Sequence, residues 1–216
     1  MKKIIVISLS IFFLQNTLKA QEDNNFKLLV MGVPQHLIIH GIRVDFDYRL
    51  EGNKWLIFSP QLYLNKIPQG TEYLWFNVNK FEELLGFGMA ITQKNILSRK
   101  SSPSGFYIAY GATYNYTKTK NADYAWVPYV ENTITYYDRQ PLDYEVILNK
   151  IGGNAIIGYQ NEIYPKLILD GFIGFGLRYS FRDAPENTFL NYSDFEGDYG
   201  YTGTLFVGGI RLGVAF

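Results

Sequence analysis

From residue 26 onward the chain alternates large apolar residues with small or polar ones at a period of two. Ile42, Val44, Phe46, Tyr48 and Leu50 fall on one face of an extended segment, and Arg43, Asp45, Asp47 and Arg49 fall on the other. Successive side chains of a strand point to opposite faces, so this segment is a strand with one charged and one bulky apolar side. The pattern returns in Phe106, Ile108, Tyr110, Ala112, Tyr114 and Tyr116, set against Ala109, Gly111, Thr113 and Asn115. Leu167, Leu169, Gly171, Ile173, Phe175, Leu177 and Tyr179 oppose Asp170, Gly174, Gly176, Arg178 and Ser180. At the end of the chain Thr204, Phe206, Gly208, Ile210, Leu212, Val214 and Phe216 oppose Gly209, Arg211 and Gly213.

The polarity of these strands is inverted relative to a soluble sandwich. Their second face is narrow, glycine-rich and sparsely charged, while the bulky face carries aromatics toward the strand ends. That arrangement suits a barrel whose apolar face meets lipid and whose polar face meets the lumen. Connection lengths agree. The joints near residues 51–54, 98–104 and 160–165 are short, whereas about 65–82, 118–146 and 181–203 are long and rich in Asn, Asp, Tyr and Pro. Short turns and long loops alternate in this way when they lie on opposite sides of a membrane. The predicted strands are 26–33, 37–50, 55–64, 84–97, 105–117, 147–159, 166–180 and 204–216. At roughly 9–11 residues per membrane strand, eight strands use on the order of 80 residues. The expectation is an all-β, eight-stranded antiparallel transmembrane β-barrel of the outer membrane, with both termini periplasmic and the end strands closing the sheet.

Composition narrows the function classes. The chain has 216 residues, no cysteine, and 20 basic against 20 acidic residues. Disulfide scaffolds, thiolate metal sites and thiol catalysis are excluded, and the charge balance offers no basic surplus for nucleic acid. Tyr 18, Phe 16 and Gly 20 form a strand-rich composition. At the N-terminus, Lys2 and Lys3 precede an apolar run over residues 4–14 and a polar stretch ending at Ala20. This is the three-part pattern of a secretory signal peptide over residues 1–20, leaving 21–216 as the barrel domain. The run is too short to span a bilayer as a helix.

With export signal, alternation and turn pattern together, residues 26–216 resemble the small eight-stranded outer-membrane barrels of the OmpA/OmpX type. The terminal Ile210, Leu212, Val214 and Phe216 are similar to the closing-strand signal read by the barrel-assembly machinery, although Val214 stands where many members carry an aromatic. The resemblance implies outer-membrane lipid and that machinery as partners, in a Gram-negative cell.

Four sets of residues are candidates for chemistry. Arg43, Asp45, Asp47, Arg49, Arg178 and Arg211 face the lumen of a barrel that side chains just fill, so they are expected to pair with one another rather than line an ion path. His36 and His40 fall at the predicted outer rim. A rim His beside a Ser and an acid is what the lipid A deacylases and palmitoyltransferases use, yet Ser180 and Ser193 share no strand with a histidine, so catalysis at His36 is the weaker reading. Asp194, Glu196 and Asp198 lack the full ligand series of a calcium loop, and no metal or cofactor is expected. Gly86-Phe87-Gly88 and the glycines at 171, 174 and 176 open no helix, so nucleotide binding is excluded and they thin the lumen face. Tyr124, Trp126, Tyr129, Tyr136, Tyr137, Tyr192, Phe195, Tyr199 and Tyr201 fall in or beside long loops, where aromatics serve either an interfacial girdle or recognition. The expected function is a non-enzymatic structural or surface-binding role through the loops. The alternatives are a lipid A-modifying enzyme and a small channel.

Overall fold

The computed structural model describes residues 26–66, 82–98, 103–183 and 199–216. Eight strands follow one another around a single closed sheet: β1 Leu28–Gly32, β2 Gly41–Arg49, β3 Lys54–Lys66, β4 Glu83–Ile96, β5 Gly105–Glu131, β6 Ile134–Tyr164, β7 Leu167–Asp183 and β8 Gly203–Ala215. Every neighbouring pair is antiparallel, and β8 returns to β1. The all-β, eight-stranded antiparallel barrel expected from the alternation is therefore the fold. Both described ends, Phe26 and Phe216, lie at the same end of the barrel as the short turns, here the terminal end; the opposite end is the distal end.

The alternation also fixes which way each strand faces. Asp45, Asp47, Trp55, Ile57, Lys94, Tyr107, Asp170 and Arg211 are buried in the lumen, whereas Phe46, Phe58, Phe87, Ile108, Ile173, Phe175 and Ile210 are exposed on the outside. Pro60 sits within β3 without breaking it. Its missing N–H falls where the β2–β3 ladder skips from Arg43 opposite Gln61 to Phe46 opposite Phe58.

Two stretches depart from expectation. Residues 37–40 do not extend β2; Pro34–Ile39 forms a 3₁₀ helix closed by His40 at φ 54°. Proline near the first position starts such a turn, and Leu37, Ile38 and Ile39 run together without the alternation a strand requires. The second departure is larger: residues 118–146 are not a loop. β5 and β6 stay paired through this stretch up to Glu131 opposite Ile134. Thr, Tyr, Val and Ile carry the strands onward despite the polar neighbours. Pairing of β5 with β4 extends to Lys120 and pairing of β6 with β7 to Ile147, so beyond these points the hairpin pairs with no other strand among the described residues. Of the other two long connections, β3 runs to Lys66 and β7 to Asp183. Residues 1–20, the loop positions Tyr192, Ser193, Asp194, Phe195, Glu196 and Asp198, and the centre of the 65–82 connection lie outside the described residues.

The hairpin turns through Asn132 at φ 50° and Thr133 at φ 66°. Two consecutive positive φ values are the two-residue hairpin geometry that matches strand twist, and glycine is favoured at its second place. A β-branched residue there costs roughly 1–2 kcal/mol, offset in a Thr133→Gly variant by about 0.5–1 kcal/mol of glycine backbone entropy. Thr133→Gly is expected to slow amide hydrogen exchange across the hairpin tip about threefold, with no change in the barrel strands.

Candidate functional site

The lumen is built in three levels. Nearest the terminal end, Arg211 of β8 is wholly enclosed and reaches three other strands. Its Nη1 lies 3.1 Å from Asp45 Oδ2 on β2, and its Nη2 donates to Asp170 Oδ2 on β7 at 2.6 Å and to the Tyr107 hydroxyl on β5 at 2.9 Å. Tyr107 in turn donates to Asp170 Oδ1 at 2.7 Å. Arg43 holds the other side of Asp45, with Nε 2.6 Å from Oδ1. Lys94 of β4 pairs with Asp47 and donates to Gln160 Oε1 at 2.8 Å. Three cations, Arg43, Lys94 and Arg211, thus face three carboxylates, Asp45, Asp47 and Asp170. A balanced, hydrogen-bonded set is the form in which charges survive removal from water. Around it pack Leu29, Met31, Trp55, Ile96, Ile156 and Ile168. Gly158 makes room for Tyr107: a Cβ there would stand 2.3 Å from the phenol oxygen.

The middle level is open. A cavity of about 330 Å³ is lined by His36, Arg43, Gln61, Asn115, Asn154 and Arg178 among others. Gln61 accepts from the Tyr63 hydroxyl at 2.7 Å and from Asn115 Nδ2 at 3.0 Å. Above it, Tyr63, Leu84, Tyr144, Val146, Leu148 and Tyr199 form a second apolar cluster toward the distal end. The buried ammonium of Lys150 lies over the rings of Tyr63 and Tyr199, 5.8 and 5.1 Å from their centroids. Burial pushes the Tyr199 phenol up, so it remains a donor, and it bonds the Ile39 carbonyl at 2.8 Å. That bond ties the last distal connection to the 3₁₀ helix.

The lumen residues singled out in the sequence divide between these levels. Arg43, Asp45, Asp47 and Arg211 come together. Arg178 does not join them; it lines the middle cavity. Arg49 also stands apart, at the terminal mouth, where its Nε donates to the Gly52 carbonyl at 2.9 Å and its guanidinium lies over Trp55. Alternation gives the face of a residue but not its height, and both arginines differ from the cluster in height. Lys94, Tyr107 and Gln160 complete the cluster without having been picked out. Lys94 had a legible signal, an isolated Lys at the lumen-facing parity of its strand. The spacing of turn residues puts Gln160 in a short joint, whereas β6 runs on through it to Tyr164.

His36 lies in the 3₁₀ helix and lines the middle cavity together with Gln61, its ring 6.3 Å from that of Tyr63. Ser180 is engaged elsewhere, donating to the Tyr201 carbonyl at 2.9 Å. Ile210, Leu212, Val214 and Phe216 share the outer face of β8 and its end, and Phe216 bonds through its backbone to Lys27 and Leu28. The last residue therefore takes part in closing the sheet.

No protein-family model and no curated protein matches the chain. The site must be read from its own geometry.

Arg211→Met would leave Asp45, Asp47 and Asp170 against Arg43 and Lys94 alone. Breaking a buried pair by removing one partner costs about 3–5 kcal/mol. The variant is expected to lower the free energy of unfolding of the refolded barrel in urea by that amount, whereas Arg49→Met, at the terminal mouth, is expected to cost less than about 1 kcal/mol.

Proposed function

We propose that the protein is an exported outer-membrane barrel of the OmpA/OmpX type, non-enzymatic, which presents its distal hairpin to a surface ligand. The observation that carries this reading is the outer face of the closed sheet. On β3, Leu56, Phe58, Leu62 and Leu64 are exposed between Lys54 and Lys66. On β7, Ile173, Phe175, Leu177, Tyr179 and Phe181 are exposed up to Asp183. The distance from Lys54 to Lys66 is about 40 Å of strand, or about 30 Å along the axis after a tilt of ~40°, close to the ~25 Å apolar band of such barrels. A soluble protein rarely leaves so wide an apolar surface in water. Where Asn149 faces outward, Tyr114 caps it with a hydrogen bond of 2.9 Å, which suits a surface without water.

The hairpin beyond the wall is the element best shaped for recognition. Tyr129 and Tyr136 stack across it with centroids 5.4 Å apart, and Val127, Val130, Ile134 and Tyr137 are exposed beside them. Its outer edges have no strand partner among the described residues beyond Lys120 and Ile147, and an extended segment of a partner adds a strand to such an edge. Outer-membrane lipid and the assembly machinery are the other partners of this reading, the latter through the β8 end.

Fractionation tests the location. The protein is expected in the detergent-extractable envelope pellet as a heat-modifiable band, and recovery in the soluble fraction sinks the reading. Ile210→Lys adds a charge to the outer face at a cost of up to about 2–4 kcal/mol, while Phe216→Lys at the rim tests the terminal signal with little lipid cost. Both variants are expected to lower the level of folded barrel. In planar bilayers the wild type is expected to show no large steady current, because the Arg211 level closes the axis; large single-channel steps would reject a filled lumen.

A further inference from the structure

The ladder that closes the barrel covers only part of β8. β1 pairs with it from Leu29 opposite Ala215 to Gly32 opposite Leu212, while β8 begins at Gly203. Beyond Gly32 the 3₁₀ helix stands against β2 and β8 instead. Leu37, Ile38 and Ile39 of that helix are exposed, whereas Gln35 and His36 line the middle cavity, and Gln35 lies so close to Gly209 that a Cβ there would collide with its amide. Side chains thus replace backbone pairing in this part of the wall. The cavity behind it is also bounded by Ile39, Leu177 and Phe206, which are exposed on the apolar outer face. It therefore has polar surroundings at one end and an apolar mouth at the other.

The polar groups around the cavity decide what fits. Arg43 commits both Nε and Nη2 to Asp45. Gln61 Oε1 already accepts from Tyr63 and Asn115. Asn154 Oδ1, by contrast, is buried with no hydrogen-bond partner among the described residues, which is uncommon in a finished interior and calls for a donor. An ionised carboxylate or phosphodiester offers acceptors only. An ammonium group would have to leave water beside two guanidinium groups, those of Arg43 and Arg178. A neutral hydroxyl supplies the donor without either difficulty. The volume, about 330 Å³, is at the small end of ligand sites, which suits a small head group with one chain rather than two.

We propose that the cavity binds a neutral single-chain lipid with a hydroxyl head group, of the monoacylglycerol class. The hydroxyl donates to Asn154 Oδ1, and the acyl chain leaves past Phe206 and Ile39 into the surrounding lipid. The proposal rests on the reading of the outer face as lipid-facing, since only then does the mouth open into a membrane.

Binding is measured on the purified, heat-modifiable barrel in an amine-oxide detergent, whose head group carries no donor. The readouts are native mass spectrometry and the indole emission that a Phe206→Trp variant adds to the wild-type signal, which is expected to shift on binding. The probes are 1-monoolein, methyl oleate, which has the same chain without a hydroxyl, and diolein, which has a hydroxyl and two chains. One saturable site for monoolein is expected, at least about tenfold tighter than that for either other probe. Asn154→Leu is expected to weaken monoolein about tenfold and to leave methyl oleate unchanged, which a general loosening of the lumen would not do. Absence of a saturable site, as when water alone fills the cavity, equal affinity for the three probes, or wild-type affinity for monoolein in Asn154→Leu overturns the proposal. The comparison of probes is made on the wild-type barrel, so it decides the matter even where Asn154→Leu does not fold. Recovery of the protein in the soluble fraction would overturn the membrane reading instead, and this assay in detergent does not depend on it.

Discussion

The guanidinium of Arg211 is the point on which the barrel interior depends. It is enclosed, it is on the closing strand, and it reaches Asp45 on β2, Tyr107 on β5 and Asp170 on β7. Strands that are neighbours only around the wall are thereby tied through the middle. The cluster has equal numbers of cations and carboxylates, so each charge has a partner in place of the water it lost. Such a set contributes less to stability than its contacts suggest, because desolvation offsets much of the attraction. Its structural effect is register: a shift of β8 by one residue would turn Arg211 outward and leave three carboxylates facing one another.

The same cluster decides how the lumen is divided. Below the cavity, charged pairs and the packing of Trp55, Ile96, Ile156 and Ile168 fill the barrel. Above it, Tyr63, Tyr144 and Tyr199 form an aromatic cover. Between these two levels the β1–β8 ladder has ended, and the 3₁₀ helix stands against β2 and β8. β1 is short because Pro34 starts the 3₁₀ helix soon after Gly32. A proline a few residues from the start of the barrel thus determines where its wall is made of side chains instead of backbone.

Much of this was legible in the sequence. Strict alternation gave the number of strands, their faces and the turn pattern, because a period of two leaves little freedom once one face is bulky and the other small. Three things were not. Polar composition predicts a loop over residues 118–146, although Thr119, Tyr129, Val130, Ile134 and Tyr136 are good strand formers; composition separates loops from strands poorly once a hairpin leaves the barrel. The apolar character of Leu37, Ile38 and Ile39 predicts a strand, against the proline before them. The partners of Arg211 were half seen, because parity says that a residue faces the lumen and not how far along the barrel it lies. Arg49, Asp47, Arg43 and Arg178 all have the right parity, yet they occupy the terminal mouth, the cluster, the boundary between cluster and cavity, and the cavity.

Height within the barrel is set by strand stagger, a property of the closed sheet that no single strand contains. Asp47 is opposite Leu29 on β1 and Ile57 on β3, and Ile57 is opposite Thr92 on β4. Lys94, two residues farther along β4, is the side chain that reaches back to Asp47. That offset follows from tilt: residues level along the axis are displaced along successive strands. Arg211 and Asp170 stand opposite each other on the β7–β8 ladder, but partners across the lumen are separated by an amount that depends on the shear of the whole barrel, and Arg211 meets Asp45 on β2 only once β8 has closed on β1. The Arg43–Asp45 pair lies on one strand and the Arg211–Asp170 pair on one hairpin, so closure is what joins these two halves into a single polar core.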